Sequence, residues 1–417
     1  MNDKLKILWF SNTPAAADET VGNSGSGGWM KALDKAIQND VELHVAFNSM
    51  QHSEPFTVGK TTYHPILIRR NKSIISKIVD TVHVKVDCSY LDVYLDIINR
   101  VKPDLIHIHG SEQSFIAIAN HTEIPIVYSV QAVLTVMNSK FFEGIGRENA
   151  GLRDCKSIRS FFVDNYLHMY KQYLAQATLE RSQLKYVPYV MGRTDWDRRC
   201  MSVLAPQAKY FHSDEVLRDG FYKYEWQPRN RGKKLVLHST LGGLPFKGLE
   251  TICDSLNLLN HLGYDISWTV AGVSDTSLIN RVVKKKLGKS YPAKGLNLLG
   301  SIGEKELIEK LLDADMYIYT SHQDNSPNSI CEAQILGVPC VATLAGGVGT
   351  LMQDKEDGIF LQEGDPYALT GAIIELMKNV ELAERYGKNA REKALRRHDK
   401  TRIKENLLAV YRECITK

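Results

Sequence analysis

The chain has 417 residues, a length that predicts two domains of roughly 200 residues each rather than one hydrophobic core. Apolar residues make up 43% of it and charged residues 24%, a balance typical of a folded globular protein that excludes a disordered chain. Lysine and arginine number 52 against 48 aspartates and glutamates, and the net charge of +4 excludes a strongly basic nucleic-acid-binding protein, although a local basic patch could still exist.

No apolar run approaches the roughly 18 residues that a membrane-spanning helix needs, and we expect no secretory leader. The seven cysteines are scattered, odd in number and never in a CxxC pair. This pattern predicts reduced thiols in a cytoplasmic protein, with neither a zinc site nor a disulfide framework.

Short apolar, β-branched runs alternate with helical patterns along the chain. The predicted strands are 5–10, 42–47, 104–110, 125–130, 185–189 and 207–212, and then 234–239, 266–272, 296–300, 316–321 and 339–344. Strands that alternate with helices in this way predict βαβ crossovers and a parallel sheet buried on both faces. Two such series predict an α/β protein with two doubly wound, Rossmann-like domains.

The polar stretch 227–232 separates the two series and is the predicted linker. We therefore expect a first domain over residues 1–226 and a second over residues 227–397. Ligands of a parallel α/β sheet bind beyond the carboxyl ends of the strands, so the predicted site is the cleft that two such sheets would face.

Two acidic residues flank the start of a predicted helix in the second half of the chain. Asp324 follows the predicted strand 316–321, and Glu332 lies about one turn into the helix. Both side chains could accept hydrogen bonds from the hydroxyl groups of a ligand. The alternative is an ordinary helix that carries two solvated carboxylates.

The start of this helix is a candidate anion site. Ser326 suits the N-cap, and Pro327 suits the first helical position because its missing N–H would have no helical partner. The N–H groups of Asn328 and Ser329 are then unpaired at the positive end of the helix, where a diphosphate is the obvious ligand.

A second candidate is the segment Gly242–Gly248, which follows the predicted strand 234–239. Its Lys247 lies at the beginning of a predicted helix and could neutralise a phosphate. A merely solvated lysine is disfavoured at this place because a cation opposes the helix dipole.

A third candidate is the glycine-rich segment Gly22–Gly28, which lies between the first predicted strand and helix. Glycines let a backbone approach a ligand and expose its amides. The spacing GNSGSGG differs from the dinucleotide-binding GxGxxG, which argues against a Rossmann dehydrogenase. We interpret the segment as a flexible active-site loop, with a permissive turn as the alternative.

The fourth candidate lies at the carboxyl end of the predicted strand 104–110. His107 and His109 share one face of this strand because side chains alternate. We expect His107 to pack beneath the helices and His109 to reach a substrate. Glu112 could bind a hydroxyl group or accept a proton, or it could simply favour the dipole of the next helix.

Together these positions resemble the retaining glycosyltransferases of family 4, whose two Rossmann-like domains form the GT-B fold. The most specific element is an acidic residue and a glutamate separated by seven residues, here Asp324 and Glu332, followed by the family-like run AQILGVPCVATLAGG. The Lys247-Gly248 pair, the LLG at 298–300 and the GD at 364–365 occur in the family's order. The segment GRTDWDRR at 192–199, and the YFHSDEVLRDGFY that follows it, resemble polysaccharide-assembly members.

The resemblance implies a role for each candidate residue. Lys247, Asp324 and Glu332 would form the catalytic set, in which Glu332 holds the ribose hydroxyls and Asp324 lies by the donor sugar. The donor-binding residues would be Gly27, Gly28, Lys247, Gly300, Ile302, Asn328, Ser329 and Glu332, with the first two closing over the diphosphate and Gly300 and Ile302 lining the base pocket. The acceptor-side candidates are His109, Glu112, Gln131 and Arg193.

Three positions depart from the family pattern. Gly242 stands where an arginine commonly precedes the phosphate lysine by five residues, so neutralisation would fall to Lys247 alone or to an arginine such as Arg193. Gln131 replaces a histidine that often contacts the sugar, and Pro327 removes an amide where many members have glycine.

The implied activity is transfer of a sugar, with retention of anomeric configuration, from a nucleotide-diphosphate-sugar to a hydroxyl of a glycan or lipid-linked acceptor. Cell-surface polysaccharide biosynthesis is the implied setting. We expect no metal and no cofactor, a terminal helix at 398–417 that packs on the first domain, and no nucleic-acid partner. A lipid-linked acceptor would favour weak association with the inner face of the membrane, for which the basic cluster Arg69–Lys72 is a candidate. The alternatives are a sugar-nucleotide epimerase of similar fold and a non-catalytic nucleotide-sugar-binding module.

Overall fold

The computed structural model describes most of the chain. The described residues are 4–17, 20, 28–68, 86, 88–151, 165–229, 232 and 234–416. Gly27, the rest of the glycine-rich segment before it and the cluster Arg69–Lys72 lie outside these ranges. Among the described helices, none combines the length and the hydropathy of a membrane span.

The chain divides into two compact units. The first consists of residues 1–138, 171–218 and 398–417, and the second consists of residues 139–170 and 219–397. The terminal segment thus belongs to the first unit, and a segment from the amino-terminal half belongs to the second.

The first unit contains an eight-stranded sheet. Its strands are β1 (Lys6–Ser11), β2 (Glu42–Ser49), β3 (Phe56–Val58), β4 (Thr61–Leu67), β5 (Leu105–His109), β6 (Ile126–Ser129), β7 (Tyr189–Gly192) and β8 (Lys209–His212). Their order is β3-β4-β2-β1-β5-β6-β7-β8, and all neighbours are parallel except β3 and β4. The order places the carboxyl ends of β5, β6 and β7 side by side.

The second unit contains a six-stranded sheet in which all neighbours are parallel. Its strands are β9 (Lys234–Thr240), β10 (Asp265–Ala271), β11 (Leu296–Gly300), β12 (Met316–Tyr319), β13 (Cys340–Thr343) and β14 (Ile359–Leu361). Their order is β11-β10-β9-β12-β13-β14, so β9 and β12 are neighbours. Every residue of β12 and β13 is buried, as expected of strands covered on both faces.

Helices connect these strands. They are α1 (Gly28–Ile37), α2 (Leu91–Val101), α3 (Leu134–Ser139), α4 (Tyr166–Gln183), α5 (Asp195–Leu204), α6 (Leu249–His261), α7 (Leu278–Leu287), α8 (Glu304–Asp313), α9 (Asn328–Leu336), α10 (Val348–Leu351), α11 (Pro366–Lys378), α12 (Val380–Arg397) and α13 (Lys400–Ile415).

Both faces of the first sheet are covered by apolar side chains. Leu8 and Phe10 belong to the hydrophobic cluster on one face, and Trp9 belongs to the cluster on the other. Helix α13 packs on the second face, where the Trp9 indole N–H donates to the hydroxyl of Tyr411 at 2.9 Å. The carboxyl-terminal helix is therefore a part of the first unit's core.

The structure confirms most of the predicted strands and corrects one. The strand predicted at 185–189 is instead Tyr189–Gly192, because residues 184–186 form a 3-10 turn that the Val187 amide closes onto Leu184 O at 3.1 Å. The strands β3, β4 and β14 were not predicted from the sequence. β4 contains Pro65, which is tolerated because β3 pairs only with Thr61–Tyr63 and leaves that edge open at the proline.

Candidate functional site

Helix α9 begins at the carboxyl edge of the second sheet, after β12. Its N-cap residue is Pro327, with φ −69° and ψ 113°, so the prediction of Ser326 at the N-cap places the helix one residue too early. Pro327 O accepts from the amides of Ile330 at 3.1 Å and Cys331 at 3.4 Å. Within the described chain, the first two helical amides, those of Asn328 and Ser329, donate to no protein atom. The helix therefore begins with two unpaired N–H groups, which is the arrangement that binds anions.

Lys247 is held at the same edge by contacts between the loops after β9 and β12. It ends a 3-10 turn, Pro245–Lys247, and the hydroxyl of Thr320 donates to its carbonyl at 3.3 Å. The His322 amide donates to Phe246 O at 2.8 Å. These bonds fix the backbone from which the lysine side chain extends.

Gly248 makes this close approach possible. Its φ is +81°, and a Cβ atom built there would lie 2.0 Å from the carbonyl oxygen of Thr320. Only glycine tolerates both the left-handed backbone and the contact. The glycine therefore allows the beginning of α6 to pack against the end of β12.

Replacing Gly248 with alanine is expected to destabilise the protein by at least about 2 kcal/mol, through backbone strain and the clash with Thr320. Urea unfolding would measure the change. Gly371→Ala is the matched control, because Gly371 lies inside α11 with no heavy atom within 4 Å of a built Cβ. That control is expected to stabilise slightly. Equal stability of Gly248→Ala and wild type would contradict the structural requirement for glycine.

The ammonium group of Lys247 forms an ion pair with Asp324. Lys247 Nζ lies 2.5 Å from Asp324 Oδ2, and the two side chains are only 17% and 18% exposed. The hydroxyl of Tyr319 donates to the same Oδ2 at 2.6 Å, and the Asn325 amide donates to Oδ1 at 2.9 Å. Burial alone would raise the pKa of Asp324, but the Lys247 charge and these hydrogen bonds outweigh burial and hold the pKa below its usual range. Asp324 is therefore a carboxylate at neutral pH.

Glu332 lies one turn into α9 and is 7% exposed. Burial raises the pKa of the nearby Tyr317 hydroxyl, and the Glu332 carboxylate raises it further. Gly300 ends β11 with φ +69°, and Ile302 follows it half-buried. Gly300 thus ends a strand of the second sheet, and Ile302, like Lys247 and Asp324, follows a strand at the carboxyl edge of the same sheet.

The other predicted donor-binding residues belong to the first unit. Gly28 opens α1, and a Cβ built on it would lie 2.5 Å from the Arg218 side chain. Gly27 lies outside the described residues. The roles of both glycines stay predictions.

The structure brings the four acceptor-side candidates together in the first unit. His109, Glu112, Gln131 and Arg193 follow or end the adjacent strands β5, β6 and β7. Gly110, with φ +84°, lies between two of them, since a Cβ built on it would be 2.0 Å from Glu112 Oε2 and 3.1 Å from Gln131 Cβ. His109, Gln131 and Arg193 also line a cavity of about 30 Å³, which has room for about one water molecule.

His109 is 2% exposed, and neither of its ring nitrogens has a hydrogen-bond partner among the described residues. Burial lowers its pKa to about 3, so the imidazole is neutral. The neighbouring His107 is fully buried and bonds to the hydroxyls of Tyr411 at 2.7 Å and Ser129 at 2.6 Å. His107 therefore has a structural role, whereas His109 keeps both nitrogens available.

Arg193 is committed to contacts within its own unit. Its guanidinium pairs with the Glu215 carboxylate, and both side chains are more than nine-tenths buried. Asp197, in the same GRTDWD segment, accepts from the amides of Arg193 at 2.8 Å and Thr194 at 3.0 Å and closes the capping box of α5. Glu215 already neutralises the charge of Arg193. Arg193 is therefore not suited to neutralise a phosphate in place of the arginine that the family pattern has at position 242.

Glu112 is the candidate in this group that titrates near neutral pH. Burial raises the pKa of its carboxyl to about 7. A hydrogen bond from Asn12 Nδ2 at 2.8 Å and the charge of Arg193 lower the pKa, but burial outweighs them. The folded protein therefore holds the Glu112 proton more tightly than the unfolded chain does, and this difference stabilises the fold. The stabilisation is complete below the ordinary pKa of about 4.5 and is lost as the pH rises through about 7.

Glu112→Gln is therefore expected to become more stable relative to wild type as the pH rises from about 5 to about 8, because only wild type must ionise a buried carboxyl. Melting temperatures of both proteins across this range would measure it. Glu123→Gln, at an exposed position of the same unit, is the control and should keep the wild-type pH profile. A Glu112→Gln profile parallel to wild type would show that the carboxyl does not titrate in this window.

Two tyrosines that contact the second-unit site were not predicted from the sequence. Tyr319 binds Asp324, as described above, and Tyr166 donates its hydroxyl to Gly243 O at 2.6 Å. Tyr319 could have been found, because it lies at the end of a predicted strand beside the acidic segment. No local signal connects Tyr166 with a loop 77 residues away.

Parts of the chain are similar to known proteins. Residues 225–393, which include Lys247, Asp324 and Glu332, match the family model described as glycosyl transferases group 1. The chain is 26% identical over 111 residues to the N-acetyl-alpha-D-glucosaminyl L-malate synthase of Bacillus anthracis. This match covers 26% of the chain and spans 29% of that enzyme's length.

Two solved structures resemble the whole chain. The sucrose-phosphate synthase of Thermosynechococcus elongatus has a TM-score of 0.74 at 13% identity, covering 99% of this chain and 100% of that one. HepE of Anabaena, solved with UDP and glucose, has a TM-score of 0.66 at 12% identity, covering 97% and 99% of the two chains. The chain therefore has the GT-B fold, which confirms the predicted fold class, and the matches support a glycosyltransferase of this fold.

Proposed function

We propose that the protein is a glycosyltransferase that moves a sugar from a nucleotide-diphosphate-sugar to a hydroxyl of a glycan or lipid-linked acceptor. The observation that carries the proposal is the pairing of Lys247 with Asp324 in the loop that leads to the unpaired amides of Asn328 and Ser329. This arrangement lies in the segment that matches the glycosyl transferases group 1 model.

The chemical problem in sugar transfer is the negative charge that develops on the leaving diphosphate as the anomeric C–O bond stretches. A fixed ammonium group and a helix N-terminus stabilise that charge electrostatically. Lys247 and the amides of Asn328 and Ser329 would do so here. Glu332, one turn further along α9, would accept hydrogen bonds from the ribose hydroxyls.

We further propose that the reaction retains the anomeric configuration and needs no metal ion. The acceptor hydroxyl would attack from the face of the leaving group, and a phosphate oxygen would take its proton, without a covalent enzyme intermediate. Lys247 would supply the positive charge that a metal supplies elsewhere. On the acceptor side, neutral His109 and Gln131 offer hydrogen-bonding groups, and Glu112 offers a carboxyl that titrates near pH 7.

Cell-surface polysaccharide biosynthesis at the inner face of the membrane is the proposed setting. This part of the proposal rests on the resemblance of GRTDWDRR to polysaccharide-assembly members.

The test is to incubate the protein with a panel of UDP-, GDP- and ADP-sugars and to measure release of the nucleoside diphosphate, with and without EDTA. We expect release from at least one donor, unchanged by EDTA. NMR of the product should show the anomeric configuration of the donor. Binding of a nucleotide-sugar without either transfer or slow donor hydrolysis would instead indicate a non-catalytic module, and interconversion of sugars without an acceptor would indicate an epimerase.

A further inference from the structure

The loop that carries Lys247 has few contacts at its beginning. Gly242 and Gly243 are exposed, and a Cβ built on either would meet no heavy atom closer than 4.0 Å. Among the described residues, the backbone of these two glycines makes one hydrogen bond to the protein, which Gly243 O accepts. Glycine loses more backbone freedom than any other residue when it is ordered, so this hydrogen bond is an important restraint on the loop.

The donor of that hydrogen bond comes from a distant part of the chain. The Tyr166 hydroxyl donates to Gly243 O at 2.6 Å. Tyr166 begins α4, belongs with the rest of residues 139–170 to the second unit, and is 1% exposed. Because the packed ring holds the hydroxyl in place, the bond fixes the position of the glycine carbonyl.

The other end of the loop is held by the same segment of the chain. Phe246, which directly precedes Lys247, and Phe141 are both fully buried, and their rings form an edge-to-face pair with centroids 6.2 Å apart. Such a pair favours one orientation of each ring. Lys247 Nζ lies 5.5 Å from the centroid of the Phe246 ring. Phe141 therefore orients the ring that the ammonium group contacts.

Polar and close contacts attach residues 139–151 to the second unit. Lys140 forms an ion pair with Glu363 at 2.9 Å, and Lys286 donates to Gly144 O. Gly144 has φ +81°, and a Cβ built on it would lie 2.6 Å from Glu250 Oε1. Glu250 is in the first turn of α6, directly after the Lys247 loop. The segment that supplies Phe141 and Tyr166 is thus fixed beside that loop.

We propose that Tyr166 and Phe141 are positioning residues for the diphosphate, which fix the loop from Gly242 to Lys247 and, through it, the ammonium group before a ligand binds. A loop that is ordered in advance binds more tightly, because the ligand does not have to supply the free energy of ordering it. The inference rests on the proposed function, since it takes a nucleoside diphosphate as the ligand of Lys247.

Binding of nucleoside diphosphates tests this role. UDP, GDP and ADP would each be titrated calorimetrically into wild type, and the one that binds most tightly into Tyr166→Phe and Phe141→Leu. We expect its affinity to fall about 3- to 10-fold in Tyr166→Phe, which loses the hydrogen bond to Gly243, and about 3-fold in Phe141→Leu, which loses the ring pair. Affinities equal to wild type in both variants would overturn the inference.

The free nucleoside separates positioning of the loop from a general effect on the fold. It has no phosphate, so its competition with the diphosphate donor should be as strong in both variants as in wild type. If the nucleoside and the diphosphate were weakened equally, the variants would be perturbing the second unit as a whole, and the positioning role would be wrong.

Each variant has a matched control. Tyr170→Phe removes a hydroxyl one turn further along α4 and keeps the ring, which contacts Phe141. Phe115→Leu shortens an equally buried phenylalanine in the core of the first unit. Both controls should bind the diphosphate like wild type.

A double-mutant cycle tests whether Tyr166 acts through Lys247. In the Lys247→Ala background, Tyr166→Phe should have no further effect on diphosphate affinity, because the group that it positions is gone. Additive losses in the double variant would contradict the inference.

The two proposals fail in different ways. If wild type binds none of UDP, GDP and ADP, the proposed function fails. If wild type binds one of them and the Tyr166 and Phe141 variants bind it equally well, only the positioning role fails. Thermal melting would establish that each variant is folded, and Tyr166→Phe, which keeps its ring, provides the test even if Phe141→Leu does not fold.

Discussion

Replacing Lys247 with alanine is expected to reduce kcat for sugar transfer by about 100- to 1,000-fold, which corresponds to about 3–4 kcal/mol of lost transition-state stabilisation. The reason is that negative charge grows on the diphosphate during the reaction, so the ammonium group interacts more strongly with the transition state than with the bound donor. Two arginine positions considered in the sequence do not compensate, since position 242 is a glycine and Arg193 is paired with Glu215. Steady-state kinetics with the donor found in the screen would measure the loss.

The control for this variant is Lys285→Ala, at an exposed position on α7 in the same unit. It removes one positive charge from the same unit without touching the site, so it should keep wild-type kcat. A Lys247→Ala protein that is folded and as active as wild type would show that Lys247 does not stabilise the leaving diphosphate. Removing the lysine also leaves Asp324 without its ion-pair partner, so the melting temperature should be compared as well.

The architecture could be read from the sequence because parallel strands buried on both faces are nearly continuous apolar runs. MYIY at 316–319 and CVAT at 340–343 are examples, and each is a fully buried strand. β4 was hidden by Pro65, which is acceptable only because its neighbour β3 is short. Whether a strand tolerates a proline therefore depends on how it pairs with its neighbours and not on its own sequence.

The residues of the candidate site were predicted better than the contacts between them. Lys247 and Asp324 were each identified from their places after strands, but their ion pair depends on β9 and β12 being neighbours. Strand order is a tertiary property that local periodicity does not encode. The same holds for Tyr166, whose hydroxyl reaches Gly243 because the segment 139–170 belongs to the second unit.

The one-residue error at the start of α9 has a local cause. Proline is favoured at the first helical position, and serine is favoured at the N-cap, so the sequence Ser326-Pro327 reads as a cap followed by a helix. In the structure, ψ of Pro327 is 113°, which is extended, and the helix begins at Asn328. The correction leaves the unpaired amides on Asn328 and Ser329, where they were expected.

Replacing Glu332 with glutamine is expected to reduce kcat/KM for the donor by about 10- to 100-fold, because the hydroxyl groups of a ribose would lose a charged acceptor worth about 1.5–3 kcal/mol. Glutamine is chosen because Glu332 is 7% exposed and alanine would leave a cavity on α9. Glu309→Gln, at an exposed position on α8, is the control and should retain wild-type kinetics.

Glu332→Gln and Lys247→Ala should weaken the binding of different parts of the donor, and the difference tests the geometry of the whole site. The ribose belongs to the nucleoside, so Glu332→Gln should weaken competition by a free nucleoside as well as by its diphosphate. Lys247→Ala should weaken competition by the diphosphate alone. If instead both variants weakened only the diphosphate, Glu332 would act through the charge of the phosphate site, and the assignment of the ribose to the first turn of α9 would have to be abandoned.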